Sequence, residues 1–476
     1  MKLAEKLGCS LILLGSLLPN LAGQDSIPLP KLRACAEFEP ALGTLITYPT
    51  NLPLETLAVE LAEDDLLYVL VDHTKNKAKA FFGLMAVGVN MRNVKFIMAP
   101  TADIYTRDFG APQAFLGSSR HGYVDPIFWD YAYQAGNGGR VFAPGPGAFL
   151  NDDVTPAAVA AHLGVEHVEF PAHLVGGNID FDGLGKAFCT QVLVDENEHW
   201  GIAETRFRAL MKRYLGVGDL IVVPNFEVFG IQHVDCVLKV LDEETLLITR
   251  VPATHPSFLF HEAVALAAAA AKTAYGRPYV IHRVDTPVFR GGVRGETANY
   301  ANSLILNGKV LVPMFDLPMA DANALDVYRQ AMPGYEVLGF HYVQGIPLIK
   351  SWASFDALHC RTHQVFDPEM VLIKHPRVRS AAAGSSQIKI QALIKDYGGA
   401  GLLDAETKVF WRKAGDSQWH QADFQPGQHP DEYVAFLPGQ PAGTGVEYYL
   451  QATTADQRQE HRPPLAPQGY FSFPVQ

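Results

Sequence analysis

The stretch SLILNGKVLVP, residues 303–313, sets two apolar runs on either side of Asn307-Gly308. Asn-Gly supplies the positive φ angles of a tight two-residue turn, so the stretch predicts an antiparallel β-hairpin. A helix-period segment follows over 322–331 and stops before Pro333-Gly334. Outward from this hairpin the same alternation runs from about residue 40 to residue 365. LLYVLVD (66–72), VKFIMAP (94–100), LIVVPN (220–225), TLLITRVP (245–252) and PYVIHRV (278–284) predict strands. Helices fit over 54–64, over 204–214 with its basic last turn, and over the alanine-rich 262–275. Strands and helices recurring through one long unit define an α/β domain.

After Pro368 the pattern changes. QIKIQALIK (387–395) alternates apolar and polar residues, and TKVFWRK, EYVAFLP, GVEYYLQA and GYFSFPV follow between Gly/Pro turns with no helix-period segment. These strands predict an antiparallel β-sandwich of about 100 residues, the size of an immunoglobulin-like module. A linker is expected near 367–376. The chain therefore divides into a leader (1–24), an α/β domain (25–367) and the sandwich (368–476).

With 476 residues, 48% of them hydrophobic and 11% aromatic, the chain can bury a large core. Its 38 basic and 50 acidic residues give a net charge of −12, and no basic block appears, which argues against a nucleic-acid partner. The N-terminus MKLAEKLGCSLILLGSLLPNLAGQDS places Lys2 and Lys6 before an apolar run and Ala22-Gly23 after it. It reads as a signal peptide, despite Glu5, and predicts a secreted or periplasmic protein, or a cytoplasmic one if the leader does not function. The run is too short to span a bilayer, and no later segment reaches that length. Cysteines stand at 9, 35, 189, 236 and 360, too sparse for a disulfide framework. One bridge among them and a free reactive thiol both remain open.

The segment FDALHCRTH (355–363) places Cys360 between two histidines and beside an arginine. Such a thiol can be a metal ligand, a disulfide partner, a nucleophile or a core residue. His359 and His363 have zinc-like i, i+4 spacing, but no second ligand pair accompanies them, so no metal is expected. Positive neighbours lower a thiol pKa, and His359, Arg361 and His363 are expected to do so here. Four further polar clusters stand out: YTRD (105–108), GGN (176–178) with Asp180 and Asp182, QHVDC (232–236) and NYAN (299–302). Two carboxylates, Asp108 and Asp235, suit a planar guanidinium, which presents a fixed fork of N–H donors. A Cys360 thiolate can then attack the guanidinium carbon while His233 handles the protons. Blander readings stand beside these: Asp180 and Asp182 as turn residues, Asn302 as a cap, Arg107 as a structural partner of a carboxylate, and Cys236 as core.

TRDFG, GGN, HVDC, YANSLILNGKVLVP, AMPGYEV and DALHCRTH occur together and in this order. In this the chain resembles the guanidino-group-modifying (pentein) enzymes, specifically the bacterial peptidylarginine deiminases of Porphyromonas type and the related agmatine deiminases. The resemblance covers about residues 30–368 and continues through the sandwich, which the agmatine enzymes lack. It implies five ββαβ-like modules about a pseudo-fivefold axis. It places the nucleophile on Cys360, the acid/base on His233, the guanidinium carboxylates on Asp108 and Asp235, and an orienting amide on Asn302. The implied reaction is hydrolytic deimination through a thiouronium intermediate, without metal or organic cofactor. The substrate is an arginine-containing peptide or protein, converted to citrulline and ammonia, or a small guanidino amine such as agmatine.

The chain departs from the family in VDPIFWDYAY (124–133), where Asp130 and Ala132 replace two arginines that hold the carboxylate of a C-terminal arginine. Asp130, with Arg107 and Trp129, is taken as a candidate substrate contact. A C-terminal preference is then lost, and an amine-bearing substrate or an internal arginine is favoured; an insertion around 143–147 also bears on this loop. Gly230 is a second departure, at a position that can carry an aromatic. Two other function classes compete. A papain-like hydrolase also uses Cys, His and Asn, but in the chain order Cys, His, Asn, whereas here the order is His233, Asn302, Cys360. An exported binding protein with an idle enzyme domain has no need of all five residues.

Overall fold

The computed structural model describes residues 27–48, 55–135, 139–142, 145–291, 295–341 and 356–476. The leader read at 1–24 lies outside them, as does part of the 143–147 insertion. The hairpin forms as expected: Leu304–Leu306 pairs antiparallel with Lys309–Met314, and Asn307 turns at φ 50°. The chain crosses through helix Pro318–Ala331 and returns as Glu336–His341, parallel to Lys309–Met314. Pro318 starts that helix ahead of the expected residue 322, because a first-turn proline forfeits only an N–H that has no helical partner.

This order of antiparallel pair, helix and parallel strand recurs. Asp180–Phe181 and Lys186–Thr190 lead through Gln191–His199 and Glu204–Leu215 to Asp219–Val223. Leu238–Asp242 and Thr245–Arg250 lead through Phe258–Ala270 to Val280–Asp285. Gln113–Leu116 and His121–Ile127 lead through Thr155–Leu163 to Glu166–His173. A fifth set joins distant parts of the chain: Ala41–Thr47 pairs antiparallel with His363–Phe366 and parallel with Leu66–Val71, which in turn pairs with Val94–Met98. Leu66–Val71 is a continuous apolar run because both its faces are covered: Leu67, Val69 and Val71 enter one core, Tyr68 and Leu70 another. The helix expected over 262–275 instead occupies Phe258–Ala270; Gly276 at φ 75° and the bridge of Lys272 to Pro278 turn the following residues out of it.

Beyond residue 368 the described chain contains strands and no helix. One antiparallel sheet runs Val371–Lys374, Gln387–Asp396, Glu432–Pro438 and Gln425–Pro426, and a second runs His420–Asp423, Lys408–Lys413, Gly445–Thr453 and Gln459–Arg462. Ile390, Val409, Ala435 and Leu450 from these sheets share one apolar core. The linker expected over 367–376 contains a strand, Val371–Lys374, which sends Val371 and Ile373 into that core. Its Lys374 crosses to the α/β part, 2.7 Å from Glu39 and 4.2 Å above the Phe38 ring. Arg462 reaches Glu243 at 3.1 Å, and Phe115 stacks on Tyr397 at 3.5 Å. Charges this deeply buried persist only when paired, so the seam is specified residue by residue. Cys35, Cys189, Cys236 and Cys360 are buried, and no disulfide joins these four. Among the described residues no helix is long and apolar enough to cross a membrane.

Candidate active site

A short, tightly turned segment precedes the first strand of each antiparallel pair, and the sequence-predicted residues sit on these segments. Thr106–Phe109 carries Asp108 and Gly176–Asn178 carries the two glycines. Val234–Cys236 carries Asp235, with His233 at its N-cap. Asn302 closes a turn onto Asn299 O at 3.2 Å. Cys360 lies in His359–Arg361, just before the strand that pairs with Ala41–Thr47.

The five segments meet in the interior. Asn302 Nδ2 donates to Cys360 Sγ at 3.2 Å, and its Oδ1 accepts from the backbone N–H groups of Ala357 and Cys360 at 3.1 and 3.2 Å. Asn302 therefore fixes both the thiol and the turn that presents it. Cys360 Sγ stands 3.7 Å from Asp235 Oδ2, and His233 Nδ1 stands 3.4 Å from Asp108 Oδ1. Asp108, His233, Asp235, Asn302 and Cys360 are each at most 3% exposed. Gly177 explains the GGN motif. Its N–H donates to Asp108 Oδ1 at 3.2 Å, and a Cβ there would lie 2.5 Å from Asp108 Oδ1 and 2.7 Å from His233 Nδ1. Asn178 Oδ1 accepts from Val234 N at 3.0 Å and Thr190 N at 3.1 Å, tying the HVD turn to the neighbouring strand.

Burial holds His233 at about 4 against the pull of Asp235, so its imidazole is neutral and able to accept a proton. Burial and the nearby Asp235 push Asp108 well above the usual carboxylate range, although Tyr131 OH donates to its Oδ2 at 3.0 Å. Asp235 is held below the usual range: hydrogen bonding and charge from His359 outweigh its burial. A hydrogen bond from Cys236 pulls the Cys360 thiol down, but burial and the carboxylates of Asp235, Asp108 and Asp356 raise it to about 11. This corrects the expectation that His359, Arg361 and His363 lower it. Each is engaged elsewhere: His359 bonds Asp235 and Glu37, Arg361 bonds Asp356, and His363 donates toward Ala111 O at 3.1 Å while burial keeps it neutral.

Other candidates fall differently. Arg107 donates to Gln364 Oε1 at 2.6 Å and lies 3.6 Å from Glu37, the buried carboxylate partnership that was the blander reading. Trp129 packs edge-on against His173 and Trp200 at 4.6 and 5.0 Å between centroids, which places it in an aromatic cluster and not with the five. Asp130, at φ 116°, caps Tyr131 N with its own carboxylate and acts electrostatically on Glu196, whose carboxyl burial raises to about 8. Asp182 is the expected turn residue, accepting from the N–H groups of Leu184 and Lys186, whereas Asp180 accepts from Val240 N in the next sheet. Cys236 is buried as expected, but beside the site, its thiol donating to Asp235 Oδ1 at 3.4 Å. Sequence reasoning missed Tyr131 and Glu37; Tyr131 directly follows the Asp130 that was singled out.

A buried thiol, an amide, an imidazole and two carboxylates around one point define a site for guanidino chemistry, and comparison with known proteins agrees. The model of the Porphyromonas-type peptidyl-arginine deiminase family matches residues 33–365, and the chain belongs to that family. It is accordingly a deiminase, a hydrolase acting on C–N bonds of guanidino groups. The agmatine deiminase of Pseudomonas putida is 24% identical over 300 residues, covering 57% of this chain and 77% of the relative. Among solved structures, an agmatine deiminase of C. jejuni with substrate bound superposes with a TM-score of 0.57 at 16% identity, covering 71% of this chain and 96% of the other. That of Enterococcus faecalis gives 0.56 at 18%, covering 70% and 95%. At these identities the structural likeness establishes the fold, α/β of the deiminase type.

Proposed function

We propose that the protein hydrolyses the guanidino group of peptidyl arginine to citrulline and ammonia, with Cys360 as nucleophile. The convergence of Cys360, Asn302, Asp235, Asp108 and His233 from separate turns is the observation that carries this reading. Asp108 and Asp235 accept the N–H groups of the guanidinium, whose charge offsets their mutual repulsion. The same cation supplies the positive charge that the thiol environment lacks and favours the thiolate. The thiolate forms a C–S bond to the guanidinium carbon. His233, neutral at rest, takes the proton that Cys360 gives up and delivers it to the leaving nitrogen as the C–N bond breaks and ammonia departs. His233 then takes a proton from water as it attacks the thiouronium carbon, the C–S bond breaks, and a ureido group departs.

A second reading, turnover of a small guanidino amine such as agmatine, is favoured by Asp130, the residue before the Tyr131 that bonds Asp108, whose carboxylate repels a carboxylate-ended substrate and attracts an ammonium. We read the five repeated strand sets as a pseudo-fivefold fan about the site. The two sheets beyond residue 368 are read as an immunoglobulin-like buttress, and the leader as an export signal. Ammonia release from agmatine, free arginine, a peptide with internal arginine and a peptide ending in arginine tests the activity, with Cys360→Ala as control. Turnover of an internal-arginine peptide supports the first reading and turnover of agmatine alone the second. Activity retained by Cys360→Ala refutes both.

A further inference from the structure

We propose that His359 and Glu37 are positioning residues, a buried imidazole and carboxylate that hold Asp235 in the orientation and charge that a guanidinium requires. The inference rests on the deimination reading. His359 Nδ1 lies 2.8 Å from Asp235 Oδ2 and Nε2 lies 2.5 Å from Glu37 Oε2. Both partners are carboxylates, and a histidine donates from both ring nitrogens only as imidazolium. Asp235 thus faces a fixed cation at Oδ2, the oxygen that also stands 3.7 Å from Cys360 Sγ, while its Oδ1 lies 3.4 Å from Cys236 Sγ.

Glu37 keeps that cation in place. Its Oε1 accepts from Lys239 Nζ at 2.5 Å and from Ile305 N at 2.8 Å, and Arg107 stands 3.6 Å from Oε2. Lys239 is itself held on Ser303 O at 2.6 Å and Arg107 on Gln364 at 2.6 Å, so the anchor draws on three strand sets. The His359 N–H donates to Asn302 O at 3.1 Å, so the turn that aims the thiol outward aims the imidazole inward. The other groups acting on Asp235 are His233, neutral, the thiols of Cys236 and Cys360, the carboxyl of Asp108, and Lys239, whose ammonium is bound to Glu37; those facing Glu37 include Asp180 and the neutral His363. None of these replaces the His359 charge. Asp108 is already raised beside Asp235; without the His359 charge, burial and Asp108 raise Asp235 as well.

The sign of the pH effect follows. Substrate binding needs Asp235 ionised, so a loss of the His359 cation moves the acid limb of kcat/KM to higher pH. The test compares wild type, His359→Gln, Glu37→Gln, Asp235→Asn and the His359→Gln/Asp235→Asn double variant on whichever guanidine the wild type turns over. The expected result is a rise in KM of about ten- to a hundredfold, the loss of one charged hydrogen bond, with the acid limb shifted up. His359→Gln should add nothing in the Asp235→Asn background. Calorimetric binding of the same guanidine in Cys360→Ser, with and without Glu37→Gln, reads the effect without turnover and covers the case in which His359→Gln does not fold. Folded variants with wild-type KM and acid limb, or effects that add fully to those of Asp235→Asn, overturn the inference. A wild type that turns over no guanidine instead overturns the activity.

Discussion

Gly177→Ala tests the geometry of the site without touching any reacting group. Gly177 does not sit at a positive φ, so alanine suits the backbone and only space opposes it. The added Cβ would lie 2.5 Å from Asp108 Oδ1, 2.7 Å from His233 Nδ1 and 3.3 Å from Asp235 Oδ2, against 3.4 Å for ordinary contact. Asp108 must therefore retreat by about 0.9 Å and His233 by about 0.7 Å if the turn holds. Displacement of about 1 Å in a reacting constellation costs about 10²-fold in rate, equivalent to about 2.7 kcal/mol of barrier. Overpacking of the same kind costs about 1–3 kcal/mol of stability, so the protein should still fold. Steady-state ammonia release gives kcat/KM and a thermal melt checks folding. A folded variant within twofold of wild type would show that these three side chains are not held at their working positions, and would refute the assignment.

Three further outcomes follow from the electrostatics. Alkylation of Cys360 by iodoacetamide should rise with pH toward a midpoint near 11, and Asp108→Asn should lower the midpoint because one carboxylate opposing the thiolate is gone; a wild-type midpoint below 8 contradicts this. Glu196, raised from 4.5 to about 8, costs nothing below pH 4.5 and increasingly more as pH rises from 4.5 to about 8, where the unfolded chain has released a proton that the folded one retains; above that the cost is constant. Glu196→Gln should therefore raise stability at pH 8 by up to about 5 kcal/mol and hardly at all at pH 4; a gain independent of pH removes the explanation. Glu243→Ala leaves Arg462, 6% exposed, without its carboxylate and should cost about 3–5 kcal/mol in urea unfolding, while Glu243→Leu with Arg462→Met should restore most of it.

The hairpin at 303–313 and the strands at 66–72, 94–100 and 245–252 were legible because turn chemistry and apolar runs are local signals. Less visible were His121–Ile127 and Lys186–Thr190, whose polar or small residues become strand only through pairing with neighbours. The five central residues could be read because their chemistry is uncommon in combination. Their electrostatics could not: sequence proximity put three cations beside Cys360, but the tight turn at His359–Arg361 sends successive side chains in different directions. Tyr131 and Glu37 were invisible for the same reason, since nothing local shows that either reaches residues more than twenty positions away.

Leu45 pairs with His363, so the strand set behind the thiol joins an early part of the chain to a late one. During synthesis Asp108, His233 and Asp235 emerge first, and Cys360, the proposed nucleophile, and the strand that follows it emerge last. A growing chain carries arginines of its own, yet until this late strand docks it holds only separated fragments of the machinery that acts on guanidines. The proposed chemistry thereby waits until nearly the whole α/β region has left the ribosome.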